Sequence, residues 1–179
     1  PGATLQGLAR DNAHILGETF HTQAAIRFGD HVAKLSLAPR GAVADLAGQP
    51  VKGGFSAMRD AVAGHFARSG AAYELRAQLC TDLDAMPVED ASVLWDPEQS
   101  PHRPIAQLHF DPQDAYAPAR QVHGDVHLAF NPWNGIAAHR PLGAIMRVRK
   151  LAYESSSAQR HRLNAVRRAE PRSLAEIPD

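Results

Sequence analysis

The spacing of apolar residues changes along the chain, and the changes mark out its elements. In "IRFGDHVAKLSLA", residues 26–38, Val32, Leu35 and Leu37 lie in a run that reads as a strand leading into Pro39. Residues 40–55 are rich in Gly and Pro and read as a loop. In "SAMRDAVAGHFARSG", Met58, Val62 and Phe66 share one helical face, with Ser56 as N-cap and Gly70 as stop signal. "YELRAQLCTDL" alternates, with Tyr73, Leu75, Ala77 and Leu79 opposite Glu74, Arg76 and Gln78, which predicts a half-buried strand. A long connection with four prolines follows over 84–104, and "IAQLHF" then reads as a strand with Ala106, Leu108 and Phe110 on one side. "QVHGDVHLAF" fits a short helix or a strand, and periodicity does not decide between them. "NPWNGIAAHRP" is loop, and residues from Leu142 to about Val166 are helical in pattern. No linker interrupts the run, so residues 1–179 are expected to form one domain of α+β class, strands in the middle and helix at the end.

That last helix has an unusual polar side. At about 100° per residue, Arg149, Tyr153, Ser156, Arg160 and Asn164 fall within a sector of roughly 80°. Leu151, Ala152, Ala158, Leu163 and Val166 point elsewhere and are expected to pack. Arg149 and Tyr153 are one turn apart, so guanidinium and phenol can meet. A guanidinium beside a phenol favours the phenolate, and a metal ion favours it far more. A tyrosinate is a known axial ligand of ferric haem. Arg160, about two turns from Tyr153, is placed to meet a carboxylate at the edge of a flat cofactor, as its bidentate fork suits.

Composition removes several alternatives. Lys+Arg and Asp+Glu both number 19, for a formal net charge of +0, which argues against non-specific nucleic-acid binding. Hydrophobic residues make up 44% and charged residues 21%, as in ordinary globular proteins. The single cysteine, Cys80, excludes an internal disulfide and fits a reducing, cytoplasmic compartment. No basic segment followed by an apolar run opens the sequence, and no stretch approaches the ~20 apolar residues of a membrane span.

Other chemistry has weaker support. Ten histidines are present. His123 and His127 have a spacing that suits a metal on a helix, with Asp125 nearby, but no third ligand follows from the pattern. His31 lies on a predicted strand and can face a pocket. His21, His65, His102, His109 and His139 have no partner spacing. Ser155, Ser156 and Ser157 sit in no nucleophile elbow. Cys80 falls on the polar side of its strand, and Trp95 and Trp133 read as packing residues. "GAVADLAGQPVKGG" lacks a phosphate-loop pattern.

The polar row, written R149-x-x-x-Y153-x-x-S156-x-x-x-R160-x-x-x-N164, resembles the proximal haem signature of haem catalases. Upstream, "VLWDPEQSPHRPIAQLHF" is similar to the Trp-Pro segment of that family leading into a barrel strand. "VHLAFNPWNGIAAHRPLGAIMRVR" is similar to the "AF-x-P" segment that runs into the proximal helix. "FHTQAAIRFGDHVAKLSLAP" and "MPVEDASVLW" resemble the small, divergent catalase-related and peroxidase-like proteins. The resemblance covers residues 15–165.

The resemblance implies the C-terminal half of a catalase-like antiparallel β-barrel followed by the proximal haem-binding helix. It implies haem b with ferric iron, ligated by Tyr153. Arg149 would bond the phenolate, Arg160 would face a propionate, and Ser156 and Asn164 would stand behind them. The implied activity is that of a haem catalase or peroxidase-like oxidoreductase, with hydrogen peroxide or an organic hydroperoxide as substrate and a part in oxidative stress. The family's distal His lies in a stretch reading approximately R-x-V-H-A-x-G, and no residue of this chain is assigned to that role. The expectation is therefore a partial domain that works as an oligomer or pairs with the missing N-terminal half. Alternatives are a non-enzymatic half domain serving in binding or assembly, and a haem-dependent lipid-hydroperoxide isomerase.

Overall fold

A computed structural model of the chain describes residues 12–178. Among these residues, five strands and three α-helices follow in the order β1 (Phe20–His21), β2 (Ile26–Phe28), β3 (His31–Arg40), α1 (Ala57–Phe66), β4 (Ala71–Leu79), β5 (Arg103–Phe110), α2 (Pro118–Val126) and α3 (Ala144–Leu163). The five strands form one sheet in the order β1-β3-β4-β5, with β2 also paired to β3. The sheet is open, with β5 at the end of that order, and not closed into a barrel. The mixed class agrees with the α+β expectation.

The strand predicted over 26–38 is a hairpin instead. Phe28 pairs with His31 in an antiparallel register, leaving Gly29 and Asp30 as a two-residue turn. Gly29 has φ +62°, a conformation glycine adopts without strain, and glycine in the first turn position suits tight hairpins. His31 is exposed at the turn. The helix predicted after Ser56 begins there, but Ser56 has helical backbone angles and makes no side-chain cap bond. An N-cap side chain needs extended backbone to reach back to the helix N–H groups.

The described residues gather into two compact units, one of those up to Phe20 with Leu37–Leu75 and Ile105–Ala115, the other of His21–Ser36, Arg76–Pro104 and those from Tyr116 on. In the first, Val43, Ala71 and Tyr73 are buried, with Leu16, Leu37, Leu46, Phe66 and Leu108 against them. A buried phenol needs a partner for its hydroxyl. Tyr73 has one, donating to the Leu16 carbonyl at 2.8 Å. In the second, Ala25, Met86 and Trp95 are buried, with Val32, Cys80 and Val88 against them.

β4 departs from its predicted alternation. Glu74 and Gln78, on the predicted polar side, are buried along with Ala71, Tyr73 and Ala77, so both faces of the strand are covered. Gln78 is satisfied by donating to the carbonyls of Trp95, at 3.1 Å, and Ser100, at 3.0 Å. Cys80, placed by the pattern on a polar face, is half-buried against the Met86 and Trp95 core. β5 is the reverse case: seven of its eight residues are exposed and only Leu108 is half-buried.

Candidate functional site

The second unit carries the polar row. Its helix, α3, starts where the loop before it is tied down. Gly143, the residue before α3, has φ +88°, and a Cβ there would collide with the Val88 carbonyl oxygen. Only glycine meets both demands. The Trp133 indole N–H donates to the Met146 carbonyl at 2.8 Å, and the Lys150 ammonium lies 5.0 Å from the Trp133 ring centre. Trp133 is thus a packing residue, as the sequence reading had it, and it fixes the first turn of α3. Glu89 accepts from Arg147 at 2.8 and 3.1 Å, and these bonds hold its carboxyl below the usual range.

Two of the five polar residues meet as expected. Arg149 Nη2 donates to the Tyr153 hydroxyl at 2.8 Å. Tyr153 is 37% exposed and stands between two hollows. One, of about 430 Å³, is lined by Phe130, Asn131, Pro132 and Asn134 together with Arg149. The other, of about 310 Å³, is lined by Phe130, Ala152, Ser156 and Arg160. Phe130, common to both, is 78% exposed, so an apolar wall adjoins the phenol.

The other three residues have different surroundings. The Arg160 guanidinium donates to the Asp125 and Leu128 carbonyls at the end of α2. Ser156 lines the smaller hollow. Asn164 is the exposed C-cap of α3, its N–H donating to the Arg160 carbonyl at 3.0 Å. Beside the row, the buried side of α3 consists of Met146, Ser157 and His161. The His161 ring nitrogens lie 2.7 Å from the Ser157 carbonyl and 3.0 Å from that of His127. The residues expected to pack do not: Leu151 is 72% exposed, Leu163 71% exposed, and Ala152 and Ala158 are exposed, leaving Val166 half-buried.

The undecided segment is helix α2, with His127 as its C-cap, so the His123 and His127 rings come to 5.4 Å, tilted by 38°. Among the described residues no three His, Cys, Asp or Glu groups gather as a metal site.

One constellation escaped the sequence reading. His102 Nδ1 lies 2.9 Å from the Ser36 hydroxyl, and its ring meets that of His21 edge-on at 5.4 Å. Burial, then His21, then Arg76 push the His102 pKa down. Lys34 lies nearby in the same unit, donating to the Val93 carbonyl at 3.1 Å with its ammonium 4.7 Å from the Trp95 ring centre. These residues come from separate strands and loops, so no spacing announces them.

No protein-family model matches the chain, and no curated protein does. Solved structures similar to it include a fungal catalase, at TM-score 0.61 and 14% identity, and catalase A from Saccharomyces cerevisiae, at TM-score 0.57 and 16% identity. Each alignment covers 83% of this chain, and 32% and 33% of the respective catalases. The chain thus spans about a third of their length and has a catalase-like fold over most of its own.

Proposed function

We propose that this chain is a haem-dependent, peroxide-metabolising oxidoreductase of catalase or peroxidase type, with Tyr153 as the axial ligand of ferric haem b. The observation that supports it is the Arg149–Tyr153 bond at 2.8 Å on a helix face open to two hollows. The residues fit the group. The phenol is accessible, the Arg149 guanidinium donates to its oxygen, and Phe130 offers an apolar surface to a flat macrocycle. When bound, haem supplies an iron able to react with peroxide.

Arg149 would orient the Tyr153 oxygen through its hydrogen bond. Ser156 lines the hollow on the Arg160 side. Arg160 would have to leave the Asp125 and Leu128 carbonyls to reach a propionate, so its role here is to join α2 to α3. The substrate is hydrogen peroxide or an organic hydroperoxide. β5, an exposed strand at the end of the sheet, is where another copy or another polypeptide would pair.

The test is haemin titration of the parent and of Tyr153→Phe, followed by absorbance. The phenyl ring keeps the packing and removes the anionic ligand. The parent is expected to give a ferric tyrosinate spectrum and the variant to lose it. Identical spectra and affinities would overturn the proposal.

A further inference from the structure

Between β3 and the proline-rich connection of the second unit lies a hollow of about 590 Å³, within the size range of small-molecule sites. Its walls are mainly apolar: Leu35, Ala91, Leu94, Trp95 and Pro97. Lys34, His21 and His102 also line it. Two features are left over after the fold is accounted for. Trp95 is only 4% exposed, yet its indole N–H is buried with no acceptor. A buried donor without a partner costs about 1–3 kcal/mol, so such groups call for an explanation. The second is the half-buried Lys34 ammonium, set against the Trp95 ring with the Val93 backbone carbonyl as its hydrogen-bond acceptor.

We propose that this hollow binds a small monocarboxylate with an apolar body. The apolar body covers Leu35, Leu94 and Pro97. The carboxylate takes the charge of Lys34, the one ammonium among the residues that line the hollow. Burial alone pushes the Lys34 pKa down, and an anion beside it reverses that effect. Leu94, 83% exposed at the rim, is the apolar surface that such a ligand would cover. This inference does not rest on haem, and none of these residues lines the hollows at Tyr153.

The experiment compares decanoate with decanol, the same chain without the charge, by calorimetry on the parent protein. The Trp95 indole N–H resonance, assigned with a Trp133→Phe variant, reports the location. Decanoate is expected to bind at least about tenfold more tightly than decanol, as a charged hydrogen bond implies, and to move the Trp95 resonance. Lys34→Gln should bring decanoate to the level of decanol, and Lys34→Arg should retain most of the difference. Equal binding of the two probes by the parent would overturn the proposal without any variant. So would decanoate binding that leaves the Trp95 resonance in place, because the ligand would then sit on another apolar surface.

Discussion

Replacing Ala165 with glycine should stabilise the protein. α3 ends in a Schellman motif. The Val166 N–H donates to the His161 carbonyl at 3.1 Å and the Ala165 N–H to the Arg162 carbonyl at 3.2 Å. The motif needs a left-handed residue just past the C-cap Asn164, and Ala165 supplies it with φ 53°. It is the sole non-glycine with positive φ among the described residues. That conformation costs an L-residue about 1–2 kcal/mol because Cβ crowds the backbone. Glycine removes the crowding, but its freer unfolded chain offsets about 0.4–1 kcal/mol. Ala165 is exposed, so little packing is lost. The net gain is about 0.5–1 kcal/mol, or about 1–4 °C in Tm for a chain of this size. Urea unfolding followed by circular dichroism measures it, with the midpoint rising at unchanged slope. A midpoint that falls or stays put would refute the strain argument. Ala165→Val, which adds β-branching at the same φ, should lower the midpoint.

Arg160→Gln removes two charge-assisted bonds to backbone carbonyls at a half-exposed position, so a loss of roughly 1–3 kcal/mol and about 2–12 °C in Tm is expected. An unchanged Tm with lost haemin affinity would instead assign Arg160 to the cofactor. Stability should also depend on pH through His14 and His102. Burial is the first cause of the lowered pKa of each, with His65 second for His14 and His21 second for His102. The unfolded chain therefore binds more protons, so their contribution is complete above the ordinary value of about 6.5 and is lost as pH falls below it. Urea midpoints at pH 7.5 and pH 5 measure the loss, and His102→Gln should make it smaller. An equal pH dependence in parent and variant would count against His102.

Much of this was legible in the residues. Alternation located β4, and helical spacing located α1 and α3, because local period reports the type of element even where it misreports the buried face. The same logic failed where burial is not one-sided. Glu74 and Gln78 read as a solvent face but are buried, and the carbonyls of Trp95 and Ser100 that satisfy Gln78 are 17 and 22 residues away. The Gly29 turn was written in the sequence as "GD", yet the apolar run on either side concealed it. At the site, the i, i+4 pair Arg149–Tyr153 could be read because both ends lie on one helix. The Ser36–His102 pair spans 66 residues and could not.

α3 divides its polar row by depth along the helix. Arg149 and Tyr153 bond each other and adjoin open space. Arg160 and His161, two turns later, turn to the carbonyls of α2 and its C-cap, and Asn164 closes the helix. An end-to-end functional row would have left the free carbonyls at the end of α2 without partners, a cost that falls on the fold. The inverted apolar pattern has the same origin. With Met146, Ser157 and His161 on the inner side, hydrogen bonds from Arg160 and His161 to the carbonyls of Leu128 and His127 help hold α3 in place. Leu151 and Val148, at 72% and 61% exposure, are left outside. A helix anchored by directed bonds fixes its rotation more tightly than one held by greasy contact. That fixed rotation is what keeps the Tyr153 hydroxyl presented to the hollows beside Phe130.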